Sequence, residues 1–155
     1  MISSRSHAEG YTLVELMVTV SIILLLAAVA LPKYADSIKR ALEGGLKGNL
    51  GSLRSAMSLY YSDNSGTFPS CSVGPSSPVF AGSLIPKYMD RIQAVNSGLH
   101  PPTNAVYCDY VILPGIVHDG QGWYYDGGIP ADPQFGSVWV ACDHTDTKGT
   151  EWSAY

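Results

Sequence analysis

Charge is scarce in this chain. Asp, Glu, Lys and Arg together make up 14% of its 155 residues, against roughly 25% in an ordinary soluble domain. The few cations are outnumbered, with nine Lys and Arg against thirteen Asp and Glu for a net charge of −4. The chain therefore lacks the basic surplus on which phosphate-backbone binding draws. Cysteine is limited to three, at spacings that do not resemble a zinc site. No Ser/His/Asp or Cys/His spacing stands out as a nucleophilic centre. Disorder is excluded too, because 46% of the residues are hydrophobic. The 16 Gly and 10 Pro argue against one long all-helical bundle, and the length allows one domain with an appended segment.

What the chain does have is one uninterrupted apolar run, YTLVELMVTVSIILLLAAVALP at 11–32, in which Glu15 is the only charged side chain. As a helix at about 1.5 Å per residue it reaches roughly 30 Å, the thickness of a bilayer hydrocarbon core. A core helix of so small a domain would need a polar face, and this run has none, so it reads as membrane-inserting. Arg5 precedes it and Lys33, Lys39 and Arg40 follow it, so positive charge on both sides sets orientation only weakly. Three fates fit the segment: a secretory signal cut at Ala28-Val29-Ala30, an uncleaved anchor, or a run retained after cleavage ahead of it. The first two give Glu15 no reason to exist. A carboxylate in lipid is costly and points to function; the plainer alternative places it at headgroup level, tolerated by the helix dipole.

The succession Gly10-Tyr11-Thr12-Leu13-Val14-Glu15-Leu16, then apolar residues, then Pro32, resembles the N-terminus of type IV prepilins and type II secretion pseudopilins. Tyr11 stands where that family usually has Phe, and Arg5 in the leader is offset by Glu9. The resemblance implies cleavage by a prepilin peptidase after Gly10 and methylation of the new N-terminal residue, Tyr11. It implies that Glu15 is retained for registration between subunits, paired with the Tyr11 amine of a neighbour, since two buried opposite charges stabilise one another where either alone is expensive. The implied partners are copies of the same chain in a helical filament, other pilins or pseudopilins, the peptidase, an inner-membrane assembly platform and membrane lipid. No nucleic acid, catalytic residue or cofactor is expected. The implied location is the inner membrane, single-pass with a periplasmic head, and then a periplasmic pseudopilus or surface pilus. The competing reading, a secreted or anchored binding domain, differs in its mature N-terminus.

Beyond Pro32, apolar positions Tyr34, Ile38, Leu42, Leu46, Leu50, Leu53, Met57 and Tyr60 recur at spacings of three and four, one stripe of an amphipathic helix expected to cover the sheet that follows. Lys39, Arg40, Glu43, Lys47 and Arg54 form its other face, and Asp63-Asn64-Ser65-Gly66 is a stop signal. Gly44, Gly45, Gly48 and Gly51 each cost about 1 kcal/mol against Ala within a helix. They imply close backbone approach, easy bending or simple tolerance. The divisions are thus a leader at 1–10, an apolar helix at 11–32, its amphipathic continuation at 33–62 and a head at 63–155. The stalk 11–62 carries a net +2 and the head −6.

In the head, 65–83 reads as loop, 83–92 as a short helix or turn, and 105–113, 122–126 and 137–142 as strands. The fold class is α+β and pilin-like: a long N-terminal helix packed on a small antiparallel sheet. Cys71, Cys108 and Cys142 all lie outside the membrane in this topology, so one disulfide and one leftover thiol are expected. Cys71, in a loop, can reach either partner, and Cys71–Cys108 is the favoured pairing. His118, His144, Asp143 and Asp146 read as solvated turn residues, so no metal ligand set is expected. Asp132-Pro133-Gln134-Phe135-Gly136 is only loosely similar to the motif preceding a pseudopilin calcium loop, and that site is not carried over.

Overall fold

The computed structural model describes residues 10–71, 78–109, 119, 122–127 and 135–155. The chain divides into two compact units, Met1–Ile38 and Lys39–Tyr155. One helix, α1 at Leu13–Asp63, supplies residues to both. It includes Pro32, whose ring nitrogen cannot donate, so the Ala28 carbonyl loses its helical donor. It ends where the stop signal stands: the Asn64 and Gly66 amides donate to the Tyr60 and Tyr61 carbonyls, and Ser65 and Gly66 take positive φ of 54° and 81°.

In the second unit, Leu46, Leu50, Leu53 and Met57 of the predicted stripe are buried. They join one core with Phe80, Leu84, Val106, Trp123, Tyr125, Val138, Val140 and Trp152. Ala56 is buried as well. Among the described residues, nothing outside the helix lies within 4 Å of a Cβ built on Gly44, Gly45, Gly48 or Gly51.

A short helix, α2 at Pro78–Leu84, occupies part of the stretch read as loop. Pro78 sits at its start, where a missing N–H costs nothing, and Phe80 and Leu84, one turn apart, are both fully buried. The expected 83–92 element is the tail of this helix and a turn. Three strands follow, β1 at Val106–Asp109, β2 at Gly122–Asp126 and β3 at Val138–Ala141, in the order β1-β2-β3. Residues 110–113 of the predicted first strand lie outside the described residues.

The sheet is mixed, not antiparallel: β2 pairs antiparallel with β3 but parallel with β1, Val106 opposite Trp123. A tight hairpin would force antiparallel pairing, whereas the long 110–121 connection is of the roughly dozen-residue length that a parallel return needs. Gly122 opens β2 at φ +98°, and a Cβ there would fall 2.5 Å from the Ala105 carbonyl oxygen. Only glycine lets the two chains approach so closely. Trp123 and Tyr125 share the core face of β2, while Tyr124 on the opposite face stacks on Trp139 at 4.8 Å between ring centroids.

Cys71 and Cys108 form a disulfide with Cα atoms 6.0 Å apart, and Cys142 is a buried thiol. Closing a 37-residue separation restricts the unfolded chain, worth about 2–4 kcal/mol. Reduction is therefore expected to lower the stability of the second unit by that amount. Urea titration with and without reductant, followed by the tryptophans, which all lie in this unit, reads the difference. An unchanged midpoint would deny the bond a stabilising role.

Candidate processing and assembly site

In the first unit, Gly10 and Tyr11 stand exposed ahead of α1, and nothing among the described residues lies within 4 Å of a Cβ on Gly10. Thr12 caps the helix: its Oγ1 accepts from the Glu15 amide at 3.2 Å, and its carbonyl takes the first helical bond from Leu16 at 3.2 Å. Glu15 reaches back, its Oε2 accepting from the Thr12 amide at 2.9 Å and the Thr12 hydroxyl at 2.7 Å. This is a capping box, the reciprocal Thr-x-x-Glu arrangement that satisfies two orphan amides. Thr12 is thus a helix-capping residue, a role its Thr-x-x-Glu spacing to Glu15 announced.

Past the cap, α1 is apolar all round as far as Leu31, and its large side chains there are exposed. Leu13, Val14, Ile23, Leu24, Leu25 and Leu31 are all more than 60% exposed, and no residue of its most apolar stretch is buried. By length and composition the helix can cross a membrane. Its hydroxyls bond locally, Thr19 Oγ1 to the Leu16 carbonyl at 2.9 Å and Ser21 Oγ to that of Met17 at 2.7 Å, as a nonaqueous surrounding requires.

In the second unit, the polar face of α1 holds the C-terminal segment. Buried Asp146 accepts from Lys47 Nζ at 2.8 Å, Tyr155 Oη at 2.7 Å and the Lys148 and Thr150 amides at 2.8 and 3.0 Å. Lys47 and Tyr155 hold its carboxyl well below the usual carboxylate range. Glu43 accepts from the Thr147 amide and hydroxyl at 2.7 and 2.6 Å. Arg54 donates to the Val138 carbonyl and to that of Tyr155. Asp146, read from sequence as a solvated turn residue, is a buried tie instead.

Of the partners weighed with it in sequence, His144 keeps Asp143, whose Oδ1 lies 3.2 Å from Nδ1. His118 lies outside the described residues, and Asp146 belongs to Lys47. Among the described residues, the side chains that could jointly hold a cation are His100, Asp119, Cys142 and His144, whose donor atoms all lie within 4.8 Å of one another. Burial pushes the Cys142 thiol up.

The description "Prokaryotic N-terminal methylation motif" matches residues 5–31. The fimbrial protein EcpC of Eikenella corrodens is 32% identical over 114 residues, covering 74% of this chain and 69% of EcpC. The chain belongs to the type IV pilin family. Two further relatives are matched over shorter spans. The type IV major fimbrial protein FimA of Dichelobacter nodosus is 40% identical over 53 residues, 34% of each chain. The type IV major pilin protein PilE1 of Neisseria gonorrhoeae is 36% identical over 90 residues, 57% of this pilin and 53% of PilE1. This pilin thus spans a third to a half of those two relatives. No solved structure matches it. The matched motif of this pilin contains Gly10, Tyr11, Thr12 and Glu15 together.

Proposed function

We propose that this pilin is a structural subunit of a type IV pilus. It is cut between Gly10 and Tyr11 by a prepilin peptidase and methylated on the Tyr11 amine. The apolar helix holds it in the inner membrane, head on the periplasmic side, until an assembly platform draws it into a helical filament with its own copies or other pilins. The observation that carries this reading is the uncovered apolar surface of α1 directly after the methylation motif. Such a surface is stable only in lipid or among other apolar helices, and the pilin cycle supplies both in turn. The fimbrial and pilus names of its relatives favour a pilus over a secretion pseudopilus.

In the filament Glu15 pairs with the Tyr11 amine of a neighbour. Both capping bonds fall on Oε2, so Oε1 is available to that amine without dismantling the cap.

The test is the intact mass and N-terminal sequence of the protein from membranes and from filaments sheared off cells. A chain starting at methylated Tyr11 in both fractions is the expected result. A start at Leu31, after an ordinary signal cleavage, or an unprocessed Met1 overturns the proposal.

A further inference from the structure

Three separate stretches of the second unit meet at His100, Asp119, Cys142 and His144. His100 precedes β1, Asp119 lies between β1 and β2, and Cys142 and His144 follow β3. His100 Nε2 is 3.0 Å from Asp119 Oδ1 and 3.3 Å from His144 Nδ1. His144 Nδ1 is 3.5 Å from Asp119 Oδ1 and 3.6 Å from Cys142 Sγ. Two nitrogens, one oxygen and one sulfur at tetrahedral zinc distances would stand about 3.3–3.6 Å apart.

Hydrogen bonds alone serve this arrangement poorly. A neutral imidazole has one N–H, yet His144 Nδ1 faces His100 Nε2, Asp119 Oδ1, Cys142 Sγ and, at 3.2 Å, Asp143 Oδ1. If both ring nitrogens donate to Asp119, their hydrogens confront one another across 3.3 Å. If one does not, its lone pair faces the carboxylate oxygen. A cation among the four groups removes the conflict, because every lone pair then points at positive charge.

We propose that His100, Asp119, Cys142 and His144 bind one zinc ion. Imidazole and thiolate donors exclude calcium and magnesium, which take oxygen ligands. Four protein ligands close the tetrahedron, so the site is structural rather than catalytic. On binding, the Cys142 thiol releases its proton to solvent and the thiolate joins the Asp119 carboxylate in neutralising the ion. The ion clamps the segment before β1 and the β1–β2 connection to the start of the C-terminal segment, beside the tie that Asp146 makes to α1.

The experiment uses the untagged full chain in detergent, stripped with chelator and titrated with zinc alone, then with cobalt as a spectroscopic substitute. One equivalent of tightly held zinc is expected, with cobalt giving intense tetrahedral absorption and a thiolate charge-transfer band. A His100→Gln/His144→Gln double variant changes side chains that are partly exposed, so its fold is retained, as tryptophan fluorescence will report. Its affinity should fall by more than ~100-fold, since loss of even an outer-shell partner costs 10–100-fold. No stoichiometric uptake by the wild-type chain, uptake that the double variant leaves unchanged, or a cobalt spectrum without the thiolate band overturns the proposal. These readouts do not depend on filament formation.

Discussion

Glu15→Gln is expected to leave the pilin processed and folded in the membrane while cutting sheared surface filaments at least ~10-fold, because it strands the neighbour's amine without a countercharge. Gln also completes a Thr-x-x-Gln capping box, so the Thr12 contacts at 2.7 and 2.9 Å can be kept. The substitution removes charge and little else. Glu15→Leu removes both cap and charge, and should lose filaments at least as completely. Immunoblots of membrane and sheared fractions, with intact masses, separate the steps. Normal filament yield from Glu15→Gln combined with loss from Glu15→Leu would assign Glu15 to the cap and dismiss the intersubunit ion pair. Normal yield from both would remove Glu15 from assembly altogether.

The long helix was legible because each part of it announces itself locally. The apolar run, the three-and-four stripe through Leu46, Leu50, Leu53 and Met57, and the turn residues after Asp63 need no tertiary knowledge. β2 was legible to the residue, since Trp123, Tyr124 and Tyr125 between glycines leave few alternatives. Its parallel pairing with β1 was not. Strand direction depends on how the long 110–121 connection returns, and no side-chain pattern encodes that. α2 was hidden in a stretch rich in Pro, Gly and Ser because so short a helix owes its existence to packing of Phe80 and Leu84 rather than to propensity. The polar face of α1 was visible as charges, but its task of holding the C-terminal segment depends on Thr147, Asp146 and Tyr155, about a hundred residues away. His144 stood out in the sequence beside Asp143, which the fold keeps 3.2 Å from it, while its neighbours from other segments were hidden for the same reason. The nearest legible hint was Cys142-x-His144, a spacing that puts two side chains on one side of extended chain, while His100 and Asp119 arrive only through the fold.

Trp123→Ala is the substitution expected to cost the second unit most, about 3–5 kcal/mol. Trp123 sits in the central strand, fully buried, between Val106 of β1 and Val140 of β3. Its indole N–H donates to the Gln93 carbonyl at 2.7 Å, so truncation opens a cavity and also strands a partly buried acceptor. Trp123→Phe fills most of the volume and loses chiefly that hydrogen bond, for about 1–3 kcal/mol. Since small domains hold only about 5–15 kcal/mol in all, the alanine variant should unfold at a much lower urea midpoint, read by Trp139 and Trp152 in the full chain. A cost below about 1 kcal/mol would be that of a surface position and would remove β2 from the centre of the core. The processing motif lies in the other unit, so the Trp123→Ala chain should still be cut after Gly10, and its mature mass should differ from wild type only by the substitution. The defect should appear afterwards, as fewer filaments from correctly processed subunits. That pattern distinguishes a subunit with a failed head from one that never entered the pathway.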